Sequence, residues 1–477
     1  MNLKKWVLMN LALLLAVAVS ALQLSAQTQT TGEITGVVTD QSGAAVPNAK
    51  ITLKDDAKGT TTTTETNKDG VYHFQLLIPS NYTVSATSSG FQEVKRTVNV
   101  ALGVVTTADI QLAIGSAAVT VTVEAQNEPL LQTENGNVAT TFNQQQLSET
   151  PNPGNDLTAI VQTAPGVVMN TAGGLGNFSD HGVGAASNLF TLNGMDDNDP
   201  FLNLNSSGAT NLLLGSNEIQ ESTIVSSGYS AEFGSLAGAN VSYVTKSGSN
   251  SFHGNAVYYW NGSALNANDW FLNHAGDPKN FSNANQWAAS IGGPIKKDKL
   301  FFFFNTEGLR VIIPVSTAVA FPSQAFQTAT IANLENNGFP ANSATVNFYQ
   351  NIFNLYNNAK GAAKAVPGAG FLSPDPLGCN GFTGLGPGVA CSSFFQAADN
   401  NLTTEAQYAG RIDYNLTDND RLFLRVLYDK GNQASDTDPI SPLFNITSTQ
   451  PQWQGQLNET HTFGSTMVNQ FILSGQW

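Results

Sequence analysis

Charge is scarce in this 477-residue chain: Asp, Glu, Lys and Arg make up 12% of it, about half of the ~25% usual in soluble domains. Basic residues are the scarcer sign, 20 Lys and Arg against 35 Asp and Glu, for a net charge of −15. Phosphate binding needs clustered Lys and Arg, so nucleic acid is excluded as a partner. Only two cysteines occur, Cys379 and Cys391, in one Gly/Pro-rich stretch. No His or acidic cluster accompanies them, which makes them a disulfide candidate rather than a metal or redox pair. The glycine clusters at Gly173–Gly176 and Gly182–Gly184 lack the Lys-Ser/Thr that a nucleotide loop requires. The uncharged run Val7–Ala21 is shorter than the ~20 residues a spanning helix needs. Behind Lys4 and Lys5 and ahead of Ala26, it reads as the core of a signal peptide over residues 1–26. No cysteine stands near that cut to carry a lipid.

Gly (43 residues), Asn, Ser and Thr take the place of the missing charge, a composition that favours strands and turns. The fold class expected is therefore mainly β. Over residues 27–115, about seven short alternating strands separated by turn clusters such as Asn67–Gly70 argue for a β-sandwich. Val37, Ile51, Leu53, Tyr72, Phe74, Tyr82 and Val84 are expected on its inward face. The words Gly36–Ala49 (GVVTDQSGAAVPNA) and Thr66–Phe74 (TNKDGVYHF) closely resemble the carboxypeptidase-regulatory-like domain, a prealbumin-like fold also grouped with carbohydrate-binding-like folds. The resemblance implies an accessory module and no peptidase. His73 stands alone on its strand, without the His/Glu spacing of a zinc site, so no metal and no cofactor are expected.

Next, Ser116–Ala125 alternates Val and Thr strictly, and an exposed strand of that kind can add to a partner's sheet edge. Residues 116–250 read as an α/β globule, with short helices expected at Thr141–Thr150 and Asp156–Thr163 and a strand at Asn188–Gly194. The run Asp196–Asp199 lacks the glycine and spaced oxygens of a calcium loop and reads as a surface turn. From Gly228 to Gly254 the wording is distinctive: Tyr229–Gly234 (YSAEFG), then Val244–Gly254 (VTKSGSNSFHG). It resembles the plug-to-barrel junction of TonB-dependent outer-membrane receptors, above all their Oar-like branch. The resemblance implies that residues 116–250 form the plug. It also implies that Val119, Thr120, Val121, Thr122 and Val123 are the box offered to the TonB energy-coupling protein, the alternative being the plug's first strand or a linker, and that Ser247–Asn250 is a hinge turn.

After Ser251 aromatics cluster, and seven strand candidates appear: 251–261, 285–292, 299–310, 405–416, 421–430, 452–463 and 466–477. Arg421–Asp429 sets Leu422, Leu424, Val426 and Tyr428 on one face and Arg421, Arg425 and Asp429 on the other. Apolar residues alternating with polar ones in ~10-residue strands mark an outer-membrane barrel in contact with lipid. The hairpin GGPIKKDKLFFF, Gly292–Phe303, again resembles the Oar-like family. Residues 251–477 are thus expected to form an antiparallel transmembrane β-barrel, with a long loop over 314–402. Seven strands cannot enclose a plug, which takes roughly 22, so the barrel is expected to be incomplete and the chain to be the N-terminal portion of a longer receptor. The function expected is TonB-dependent uptake at the outer membrane, with the sandwich in the periplasm and no enzymatic centre. The ligand stays open among carbohydrate, peptide and siderophore. The alternative is a non-transporting adhesin or carbohydrate-binding outer-membrane protein.

Overall fold

Two facing sheets form the N-terminal unit of the computed structural model. The model describes residues 30–115, 121–124, 136–150, 152–170, 177–210, 214–227, 236–268, 270–275, 279–368, 377, 379, 385–464 and 467–477. The expected signal peptide, Val119, Thr120 and residues 228–235 lie outside these. In one sheet Gly32–Asp40 pairs antiparallel with Val71–Leu77 and parallel with Val105–Thr107 and Ile110–Leu112. The other runs Thr61–Glu65, Lys50–Asp55, Ser80–Thr87, Val94–Val100 and Val121–Glu124. Ile34, Val38, Ile51, Leu53, Tyr72, Phe74, Tyr82 and Val84 close the core between them. Val37 does not belong to that core. Along Gly32–Asp40 the buried residues are Gly32, Ile34, Gly36 and Val38, which turns Val37 outward. Gly36 fixes this register, because a Cβ there would stand 2.3 Å from the Ala108 carbonyl oxygen.

The second unit is a five-stranded sheet in the order Val138–Phe142, Ile219–Ser227, Asn240–Thr245, Leu189–Leu192 and Met195–Asp196. Short helical segments pack on it around Leu157, Ile160, Phe178 and Phe190. The helix expected over Thr141–Thr150 is shorter, Gln144–Glu149. β-Branched Thr140 and Thr141 instead pair with Ile224 and Thr223. Asn143 then breaks the strand as a helix cap, its side chain accepting from the Gln146 amide at 2.9 Å.

The third unit is an open antiparallel sheet of seven long strands: His253–Gly262, Asn283–Lys296, Leu300–Pro322, Ser392–Asn415, Asp420–Asp436, Gln452–Thr462 and Val468–Gln476. The two strands that flank the loop run further than expected, so the loop is 323–391 rather than 314–402. Leu300–Pro322 pairs with Ser392–Asn415 in unbroken register from Leu300↔Tyr414 to Pro322↔Ser392. Helices Gln324–Asn336 and Ala344–Asn357 occupy the loop, each started by a serine, Ser323 and Ser343, whose hydroxyl accepts from the first turn. Short connections at 297–299, 416–419 and 463–467 lie at one end of the sheet; the long connections 263–282, 323–391 and 437–451 lie at the other. Outer-membrane barrels show that asymmetry.

Candidate functional site

The long sheet is polar inside and apolar outside. Along Asp420–Asp436, Arg425 and Asp429 are each 1% exposed, while Leu424 and Val426 on the alternate face are 46% and 41% exposed. In Ser392–Asn415 the inward residues are Glu405, Gln407, Arg411 and Asp413, and the outward ones include Tyr408 and Ile412. Strand alternation places these two sets on opposite faces. The plug buries the polar set.

Arg425 grips Glu218 of the plug with both arms, Nε to Oε1 at 2.6 Å and Nη2 to Oε2 at 2.8 Å. Its Nη1 donates to Gln454 Oε1 at 3.1 Å, and Gln454 Nε2 donates to Asp197 Oδ1 at 2.7 Å. A second centre forms around Arg411, which donates to both oxygens of Asp413 at 3.0 and 2.8 Å and to Thr245 Oγ1 at 2.7 Å. Its guanidinium lies 4.0 Å from the Phe423 ring centroid. Glu307 accepts from the backbone amides of Gly215 and Asn217 at 3.0 and 2.8 Å. Gln456 Nε2 donates to the Asn193 carbonyl at 2.8 Å. Bidentate arginine–carboxylate pairs are among the stronger polar contacts and fix orientation as well as distance. The plug is therefore seated in one register through groups that water can also satisfy.

The sandwich docks at the end of the short connections. Its Asp55–Thr60 turn carries Lys58 into the mouth of the sheet, where Nζ lies 3.2 Å from Asp413 Oδ1, the two side chains being 9% and 6% exposed. The Asn250 amide donates to the Ala57 carbonyl at 2.9 Å, and Asn250 Nδ2 donates to Asp298 at 2.7 Å. The expected hinge turn is thus clasped between sandwich and barrel. On the plug side, the Leu102 amide donates to Glu221 Oε2 at 2.7 Å. Burial pushes the Glu221 carboxyl up to about 7, against the lowering effect of that bond.

The structure scatters the residues singled out from the sequence. Val121–Glu124 pairs parallel with Val94–Thr97 at the edge of the sandwich. Cys379 and Cys391 form a disulfide with Cα atoms 5.4 Å apart, within the long loop. His73 is partly exposed and sits 2.7 Å from Glu33. Asp197 is not a surface residue. The hairpin Leu189–Asp196 presents it to the barrel wall, where it is 5% exposed. Asp420, Glu459 and His461 gather ligand atoms within 4.8 Å, but they are half exposed, and Asp420 is already bonded to Thr417 and His461. Sequence alternation had set Arg411 and Arg425 in the strands. Their plug partners Glu218 and Thr245 carry no local pattern and were missed, as was Lys58, which reads as an ordinary turn lysine.

Three family profiles divide the chain. Residues 33–113 match the Carboxypeptidase regulatory-like domain, 132–241 the TonB-dependent Receptor Plug Domain, and 244–477 the Outer membrane beta barrel domain. The chain belongs to the TonB-dependent receptors. Within that family it is Oar-like: it is 31% identical over 149 residues to the TonB-dependent transporter Oar of Myxococcus xanthus, an alignment covering 30% of this chain and 13% of that protein. Among solved structures it is similar to the outer membrane transporter YddB of Escherichia coli, with 12% identity and a TM-score of 0.43 over 71% of this chain and 38% of that one. The ferric enterobactin receptor of Pseudomonas aeruginosa, a mutant in complex with enterobactin, gives 12%, 0.39, 71% and 40%. The chain thus spans less than half the length of these relatives. A TonB-dependent receptor of this build resides in the outer membrane, and the family comprises transporters rather than enzymes.

Proposed function

We propose that this receptor takes up a ligand through its barrel when the TonB energy-coupling protein pulls on the segment Val119–Val123. The observation that carries the reading is the plug's seat. Glu218, Thr245, Gly215, Asn217 and Asn193 are held by a charged and amide-rich wall rather than by an apolar core. Polar groups released from such a seat are re-solvated by water, so a plug bound this way can shift without exposing a large apolar face. The sandwich sits on the periplasmic side, where the short connections lie, and holds the coupling strand Val121–Glu124 at its edge. Carbohydrate, peptide and siderophore all remain candidate ligands, met by the long connections at the opposite end.

TonB would engage the coupling segment by main-chain pairing. Val121→Pro removes one donor and restricts the backbone. The variant receptor is expected to reach the outer membrane at the normal level and to lose binding to the purified periplasmic domain of TonB. Unchanged binding would rule out this segment as the coupling site.

A further inference from the structure

Two turns of the sandwich are buried, although turns ordinarily run over a protein's surface. The connection 101–104, between Val94–Val100 and Val105–Thr107, holds Ala101 and Leu102 at 0% exposure. Leu102 belongs to the apolar core of neither the sandwich nor the plug. Its main chain is bonded to the plug strand Ile219–Ser227 at both groups. The amide donates to Glu221 Oε2 at 2.7 Å, and the carbonyl accepts from Thr223 Oγ1 at 3.3 Å. The other turn, Asp55–Thr60, is bonded to the barrel and its hinge turn. There Lys58 meets Asp413, and the Ala57 carbonyl accepts from the Asn250 amide. Gly59 lies so close to the wall that a Cβ on it would collide with the Asp298 carboxylate. Beside this turn, Arg421 Nη2 donates to Thr62 Oγ1 at 2.8 Å.

The sandwich therefore holds plug and barrel at once. A body bound to two others resists any shift of one against the other, because the shift must break one set of its contacts. Asp413 ties the two sets together. It accepts from Lys58 of the sandwich and from Arg411, which also donates to Thr245 of the plug. The hydrogen bonds and ion pair at both turns are groups that water can also satisfy, and domain contacts of that kind permit relative motion. We propose that the sandwich is a catch: docked, it pins the plug to the barrel wall, and the plug shifts only after the sandwich has left its seat. Val121–Glu124 is paired with the same strand that leads into Leu102. A pull on that segment would load the catch, a consequence that rests on the coupling reading; the catch itself does not.

The test uses the receptor purified in detergent, without TonB. Lys58→Met removes the charge that meets Asp413. Gly59→Asp instead sets a carboxylate against that of Asp298 and leaves Lys58, Asp413 and Arg411 in place. Aspartate is among the residues that tolerate the positive φ of 73° at this position. Each variant is expected to keep its sheet content, followed by circular dichroism, and to free the sandwich, followed by proteolysis between Leu112 and Val138. Each is also expected to speed amide exchange over Ile219–Ser227 by about tenfold or more, the size of losing one hydrogen bond to a charged group. Unchanged plug exchange in a variant whose sandwich is free would overturn the catch and leave the sandwich an accessory. A response to Lys58→Met but none to Gly59→Asp, with the sandwich free in both, would also refute it and assign the effect to Asp413 and Arg411. A sandwich that stays docked when both changes are combined would show that these contacts do not hold it. None of these outcomes bears on TonB coupling, which is read separately.

Discussion

Arg425 is 1% exposed and holds Glu218 in a two-armed grip. Such a pair adds little net stability over an apolar pair of the same size, but removing one partner strands a buried charge at a cost of about 3–5 kcal/mol. Glu218→Ala is therefore expected to loosen the plug by that order, read as faster amide exchange over Ile219–Ser227 with the barrel strands unaffected. Glu221 gives a pH signature of the opposite kind. Docked, its carboxyl keeps a proton up to about pH 7, whereas a free glutamate releases it near 4.3. The docked state thus binds more protons between those values, and stability falls as pH rises through that window and levels off above it. The melting temperature is expected to drop between pH 5 and pH 8, and Glu221→Gln is expected to flatten that drop. A wild type equally stable at both pH values would contradict this assignment.

At the scale of elements, the strands were the most legible feature. Period-two alternation in Arg421–Asp429 set Leu424 and Val426 opposite Arg425, and the burial of that strand follows the same division. Its limit is seen at Leu300–Pro322. Pro314 and the small residues around it resemble loop sequence, but unbroken pairing with Ser392–Asn415 keeps the segment extended, because a neighbouring strand outweighs local propensity. Contacts between units were not legible. Lys58 gains meaning only when the Asp55–Thr60 turn, braced by Asp55 accepting from the Ala57 and Lys58 amides at 2.9 and 3.1 Å, meets Asp413. Lys58→Met keeps the reach of the side chain and removes its charge. It is expected to free the sandwich, read as faster proteolysis between Leu112 and Val138, while Lys58→Arg retains protection. Equal proteolysis of the wild type and Lys58→Met would show that the ion pair does not hold the sandwich in place.

Across the whole molecule, sandwich, plug and barrel sheet are joined by charged and amide contacts, while each keeps an apolar interior of its own or, for the sheet, an apolar outer face. The Tyr229–Gly254 wording and the two sandwich motifs placed these units in order from sequence alone. The seat between plug and barrel stayed hidden because residues such as Glu218 and Arg425 are brought together across 207 positions of chain, a separation that no local pattern encodes. We propose that this polar seat opens under energy from TonB. Ser242 lies within the plug sheet at 3% exposure, bonded to Thr191 at 3.1 Å, and Ser242→Cys is a small change. The receptor carrying it can be treated with a maleimide dye in cells growing in complex medium. Labelling is expected in energised cells and lost on adding a protonophore or the Val121→Pro change. Labelling at the same rate in all three conditions would contradict the claim.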